Sequence, residues 1–259
     1  MNKTEFPTFI KRRENNNIIN KIPKIIIQTY KNNLLDNFII QNINKMLDKN
    51  KDYDYMLITD EMGIELIKEN FDDKVLDAFN TLNIGAAKGD FIRYIALYIY
   101  GGVYLDLDAS IEINLNTYIK KIDKFIFFMD ANKNLNQWIF MIEPKNILLK
   151  MVIEEMVNRI NNKIDNIFLA TGPTLFTDVI YNYMNNANIF NTRSFTKSKD
   201  REFAFIKNNN FSMGRIIDEM KESKNKFKER MDNYNVNMIY NNDRYIPTWN
   251  SPTPNFYKY

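Results

Sequence analysis

Cysteine and histidine are both absent from this 259-residue chain. Without cysteine there is no disulfide framework and no thiolate metal site. Without histidine, imidazole is removed as general base, proton shuttle and metal ligand. Glycine and proline are scarce, seven of each, while Asn, Lys and Ile are abundant, a bias of A+T-rich coding rather than of function. An excess of one charge is also missing. The 35 basic and 32 acidic residues leave a net +3, too balanced to argue for nucleic acid or an acidic membrane surface as a partner. No apolar run approaches a membrane span, and the opening MNKTEFPTFIKRRENNN has no signal-peptide core. The expectation is a soluble, cytoplasmic chain without a membrane span. At 45% hydrophobic and 26% charged residues, the composition is that of one ordinary globular domain.

What the chain does have is concentrated in AAKGDFIRYIALYIYGGVYLDLDAS, from Ala86 to Ser110. Between Gly89 and Leu105 only Asp90 and Arg93 are charged. A helix that is apolar nearly all round is a buried helix, and acids and arginines are rarely buried without partners. Asp90 and Arg93, three apart, share a helical face. Gly101-Gly102 stops the helix. From Val103 to Asp108 the residues then alternate as in a strand, with Val103, Leu105 and Leu107 on one side and Tyr104, Asp106 and Asp108 on the other. Two carboxylates aimed the same way repel unless a cation sits by them. Hard oxygen ligands of this kind suit Mg²⁺ or Mn²⁺.

The flanking sequence reads as alternating strands and helices. A polar arm over 1–20, helical near Phe9 to Arg13, precedes a buried strand over Ile22 to Tyr30. A helix over Leu34 to Leu47, a strand over Tyr53 to Thr59 and a helix over Asp60 to Asn70 follow. This order predicts an α/β domain with a parallel, Rossmann-like sheet, helices on its faces, and ligands at the strand C-termini. Beyond Ser110 the reading gives strands at Lys124 to Met129 and Gln137 to Ile142 and a helix around Leu148 to Ile160. Thr171-Gly172-Pro173 then opens another helix, an exposed connection spans Asn191 to Asn210, and a charged helix spans Phe211 to Met231. The Pro-, Asn- and aromatic-rich tail from Asn241 forms no long regular element.

The spaced set Ala86, Asp90, Arg93, Tyr94, Leu97, Tyr98, Gly101, Gly102, Tyr104, Asp106 and Asp108 resembles the DXD-containing glycosyltransferases. The nearest group is glycosyltransferase family 32, with yeast α-mannosyltransferases, capsule enzymes and, more distantly, glucosylating clostridial toxins. The resemblance implies a GT-A-type single domain with a mixed, mostly parallel sheet. It implies a nucleotide-sugar-binding half over 22–110, an acceptor-side half over 111–240, and a tail over 241–259 that closes the site. The activity it implies is metal-dependent, retaining transfer of a sugar from a nucleotide-diphosphate sugar to a glycan or other hydroxyl acceptor.

By the same resemblance, Asp108 would ligate Mn²⁺ or Mg²⁺ directly and Asp106 through water, with Asp106 also near ribose or sugar hydroxyls. Asp90 and Arg93 would hold the donor sugar, and Tyr104 would line that pocket. IPKIIIQTY is similar to the family's opening strand, which ends near the base and so brings in Gln28 and Tyr30. Ile27 and Tyr30 stand where the family has histidine and tryptophan. Trp249 resembles the closing tail residue, with Asn250, Ser251 or Asp243 as oxygen donors to the metal. As a binding feature the TGP turn is weaker than as a plain helix start. Two other readings stay open. VYLDLDAS also fits a haloacid-dehalogenase-like phosphotransferase, with Asp106 as nucleophile and Asp108 as acid/base. The chain is otherwise a non-catalytic nucleotide- or glycan-binding relative.

Overall fold

The computed structural model describes residues 3–12, 20–111, 113–129 and 134–186, together with the backbone strands at 204–207, 210–218 and 227–228. Its N-terminal half contains β1 (Lys3–Glu5), β2 (Phe9–Ile10), β3 (Ile25–Thr29), β4 (Leu34–Asp36), α1 (Asn37–Lys49) and β5 (Asp54–Ile58). Then come α2 (Asp60–Asn70), α3 (Asp73–Thr81), α4 (Gly85–Tyr100), β6 (Gly102–Leu105), β7 (Ser110–Ile111) and α5 (Leu115–Tyr118). The remainder contains β8 (Phe125–Met129), β9 (Leu135–Ile142), α6 (Ile147–Asn161), α7 (Ile167–Ala170), α8 (Pro173–Asn186), β10 (Ala204–Lys207), β11 (Asn210–Asp218) and β12 (Phe227–Lys228).

Eight strands form one sheet in the order β10-β11-β8-β9-β6-β3-β5-β2. The strands β3, β5, β6, β8 and β11 run the same way, and β2, β9 and β10 oppose them. The mixed, mostly parallel sheet expected from the sequence is therefore present. Period-two alternation places the two faces in different cores. Ile27, Tyr104, Phe127 and Phe140 pack with α2, α3, α4, α6 and α8. Ile26, Val103, Leu105, Ile126 and Met141 pack on the other side with α1 and α5. Helices cover both faces.

The central helix α4 buries Ala87 and the whole run from Asp90 to Leu97. Its neighbour α2 carries Gly63 where it meets α4. A Cβ there would come within 2.7 Å of Ile92, so the small residue sets the helix spacing. Gly101 caps α4 at φ +63, its N–H donating to the Leu97 carbonyl at 2.9 Å. Gly102 then enters β6 at φ +107, and a Cβ on it would lie 2.6 Å from the Ile25 carbonyl oxygen. This pair of glycines reverses the chain tightly enough to lay β6 against β3 beneath its own helix.

Several sequence-based assignments change. The strand carrying the acids ends at Leu105, and Asp106 to Ala109 is a turn closed by the Ala109 N–H on the Asp106 carbonyl at 3.0 Å. Phe9–Ile10 is an edge strand on β5 rather than a helix. The first helix starts at Asn37, because Leu34–Asp36 pairs with Lys3–Glu5. The expected helix over Phe211 to Met231 begins instead as β11, in parallel register with β8, where strand pairing overrides a weak helical pattern. The connection expected over Asn191 to Asn210 includes β10. Helix α3, with Asp72 capping the Val75 N–H, was not anticipated.

Replacing Gly102 by alanine is expected to lower stability by about 2–4 kcal/mol, from positive-φ strain plus the clash with Ile25. Urea unfolding measures this. An unchanged midpoint would show that β6 can enter the sheet in another backbone conformation.

Candidate active site

Strands β3 and β6 run in parallel, and their C-terminal ends meet under the first turns of α4. Tyr104 in β6 faces α4, and Asp106, just past the strand end, comes beneath Asp90 and Arg93. Arg93 joins the two acids. Its Nη2 lies 3.1 Å from Asp90 Oδ1 and 3.0 Å from Asp106 Oδ1, and Nη1 donates to the Gln137 carbonyl at 3.1 Å. The guanidinium lies 4.8 Å from the Tyr104 ring centre. Its Nε is buried and has no hydrogen-bond partner among the described residues. Arg93 is 6% exposed and Asp90 4%, so the pair is not a solvated helix-surface ion pair.

A second set of hydrogen bonds fixes the acids. Asp90 Oδ1 also accepts from Gln137 Nε2 at 2.8 Å, and Oδ2 accepts from the Thr171 hydroxyl at 3.0 Å. Tyr94 donates to Gln137 Oε1 at 2.6 Å. The Tyr104 hydroxyl donates to Asp106 Oδ1 at 2.9 Å. That uses its only proton, so Thr29 is the donor in the 2.9 Å Thr29–Tyr104 contact. Burial raises both Tyr94 and Tyr104 well above the ordinary phenol range, which keeps them protonated donors.

The acidic turn is held from several sides. Gln28, fully buried, donates Nε2 to the Asp106 carbonyl at 3.0 Å, and Tyr55 fixes its amide by donating to Oε1 at 2.9 Å. The Asp106 N–H donates to the Trp138 carbonyl at 2.8 Å, and Asn42 donates to the Ala109 carbonyl at 3.0 Å. Asp108 is 6% exposed, with both carboxylate oxygens buried.

The expected site residues are thus distributed unevenly. Asp90, Arg93, Tyr104 and Asp106 form one hydrogen-bonded cluster, and Asp108 follows in the same turn. Gln28 is spent internally on that turn. Tyr30, half-buried just after β3, packs towards the opposite core. Trp249, Asn250, Ser251 and Asp243 lie outside the described residues. Gln137, Thr29 and Tyr55 are polar groups around the cluster that the sequence does not signal, whereas Tyr94 belongs to the spaced set and Thr171 to the TGP turn read as a helix start. Among the described residues no three His, Cys, Asp or Glu side chains form a metal-binding group. Two carboxylates are nonetheless a sufficient protein share for Mg²⁺ or Mn²⁺, which fill their shells with water and phosphate oxygens. The donor set fits such an ion.

Burial pushes the Asp90 carboxyl up to about 7, with Arg93 and Thr171 pulling the other way. A carboxyl raised above its unfolded value binds its proton more tightly when folded. Its contribution to stability is then fully present near pH 4 and is lost as pH rises towards 7. The stability of the wild type relative to Asp90→Asn should fall over that window, by at most about 1.4 kcal/mol per pH unit. Denaturant titrations of both proteins across pH 4–8 measure the difference, and a flat difference would mean that Asp90 is ionised throughout.

The sequence matches a family model described as a glycosyltransferase sugar-binding region containing a DXD motif, over residues 37–125. Two relatives in Saccharomyces cerevisiae are the mannosyl phosphorylinositol ceramide synthases CSH1 and SUR1. They are 40% and 44% identical over 99 and 95 residues, covering 38% and 37% of this chain. The match spans only 26% and 25% of their lengths. An uncharacterised mimivirus glycosyltransferase, L373, is 32% identical over 126 residues, covering 46% of this chain and 48% of its own. Among solved structures, the PaToxG glycosyltransferase superposes with a TM-score of 0.51 at 15% identity, over 64% of this chain and 70% of its own, a likeness of fold. The matched region contains Asp90, Arg93, Tyr104, Asp106 and Asp108 but stops short of Gln137 and Thr171. Residues 37–125 thus match the DXD sugar-binding region of glycosyltransferases, and the fold is of the GT-A type.

Proposed function

We propose that this protein is a retaining glycosyltransferase that moves a hexose, mannose in the first instance, from a nucleotide-diphosphate sugar to a hydroxyl acceptor. The observation that carries this reading is the Arg93 bridge between Asp90 and Asp106, buried at the C-terminal edge of the parallel strands within the DXD region. Mannose is chosen because the two yeast relatives are named for mannosyl products. The acceptor class follows from the reaction type alone. No described helix is long and apolar enough to cross a membrane.

Each residue has a physical task in this scheme. Asp108 and Asp106 would hold a divalent cation, which when bound stabilises the charge that gathers on the departing diphosphate. Asp90 offers acceptor oxygens to sugar hydroxyls, and Arg93 offers a buried donor, its Nε, to a polar ligand atom. Tyr104 and Arg93 hold Asp106 in one orientation before any ligand arrives. Such preorganisation avoids reorienting dipoles during reaction. The Gln28 and Asn42 hydrogen bonds fix the turn itself. Phosphotransfer through Asp106 is less well supported, because that reading assigns no task to Asp90 or Arg93.

Hydrolysis or transfer from GDP-mannose, screened beside UDP-glucose, is expected with Mn²⁺ and should vanish in EDTA. Asp108→Asn should keep its melting temperature within a few degrees and lose about 10²-fold or more in turnover, as for removal of a key electrostatic group. Full turnover by that variant in EDTA would overturn the assignment. Cleavage of an aryl phosphate without any turnover of nucleotide sugars would favour the phosphotransferase.

A further inference from the structure

Gln137 in β9 and Thr171 at the start of the TGP turn lie outside the matched region, yet both end on Asp90. An ionised carboxylate has about four acceptor positions. Three are occupied: Oδ1 by Arg93 Nη2 and Gln137 Nε2, and Oδ2 by the Thr171 hydroxyl. Among the described residues one acceptor direction remains, on Oδ2.

Both side chains that leave this direction open are themselves held. The Gln137 amide cannot turn over without placing its oxygen against the Asp90 carboxylate, and in its present orientation Oε1 accepts from the Tyr94 hydroxyl at 2.6 Å. Thr171 is fully buried, and its N–H donates to the Ile167 carbonyl at 3.0 Å. Gly172 lies so close to α7 that a Cβ would come within 2.8 Å of the Ile167 carbonyl oxygen and of Phe168 Cα. The turn is therefore packed against α7 and sets the hydroxyl 3.0 Å from Asp90 Oδ2, closer than the 3.4 Å to the Ile167 carbonyl. The Tyr94 hydroxyl also lies 3.3 Å from the Thr171 carbonyl, so one side chain sits between the two braces.

We infer that Gln137 and Thr171 are positioning residues which aim the remaining Oδ2 acceptor of Asp90 at a donor-sugar hydroxyl, so that sugar recognition is set apart from nucleotide binding. The inference rests on the transferase reading and adds the elements that tune it: the strand β9 and the junction of α7 with α8. Neither residue need touch the nucleotide.

Isothermal titration with Mn²⁺ tests this, using GDP-mannose and GDP as one probe pair and UDP-glucose and UDP as another. Gln137→Leu and Thr171→Val should weaken the sugar nucleotide by about 10-fold or more, the value of a hydrogen bond to a charged group. Affinity for the free nucleotide should stay within about two-fold. Thr171→Ser, which keeps the hydroxyl, should restore near wild-type binding even if Gln137→Leu folds poorly. Equal weakening of nucleotide and sugar nucleotide, or no change in either, would reduce the two residues to braces of the fold and overturn the inference. A wild type that binds none of the four probes would instead withdraw the transferase reading, and this inference with it.

Discussion

A guanidinium held out of water between two carboxylates is the interaction on which this structure turns. Arg93 reaches from α4 to Asp106 beyond β6, so the helix and the acidic turn are locked to one another by charge as well as by packing. Such a triad is costly, since desolvation offsets much of the attraction, and removing one partner leaves a buried charge uncompensated. An apolar substitute would serve stability at least as well. The burial of three charged side chains at the C-terminal edge of the parallel strands is what the proposed sugar-binding role accounts for and stability alone does not.

The surrounding architecture makes the cluster rigid in a repeated way. Two glutamines, Gln28 buried and Gln137 half-buried, each have one end of the amide fixed by a tyrosine hydroxyl and turn the other end towards the acids. Tyr55 directs Gln28 to the Asp106 carbonyl, and Tyr94 directs Gln137 to Asp90. A primary amide has nearly the same shape either way round, so the acceptor at one end, the Asp106 carbonyl or the Asp90 carboxylate, draws the NH₂ to itself and leaves the amide oxygen to accept from the tyrosine. The site thereby gains fixed dipoles without histidine. The glycine reversal supplies the geometry beneath, returning the chain so sharply that Tyr104 and Asp106 come up under the helix that preceded them.

Much of this was legible in the sequence because it is local. Asp90 and Arg93 stand out against an apolar helix, Gly101-Gly102 announces the reversal, and the alternation of Val103, Tyr104 and Leu105 gives the facing of β6. The limits of that reading are equally physical. Alternation suggested a strand through Asp108, but Trp138, Gln28 and Asn42, all remote in sequence, capture Asp106 to Ala109 as a turn. Gln137 is separated from Tyr94 by 43 residues and Thr171 from Asp90 by 81. No spacing rule links such pairs, and an amide or hydroxyl carries no signature of its own. The strand at Asn210–Asp218 was missed for a related reason, since its identity comes from the β8 edge it joins rather than from its own pattern.

The proposed function puts a cation and an activated sugar at one place, the buried acids and Arg93. A crystal structure with Mn²⁺ and GDP-mannose, with the metal located by anomalous scattering, tests this most directly. The account predicts a metal peak bonded to Asp108, with the sugar against Asp90 and Arg93. A metal and nucleotide bound elsewhere on the molecule, with this cluster left untouched, would contradict it.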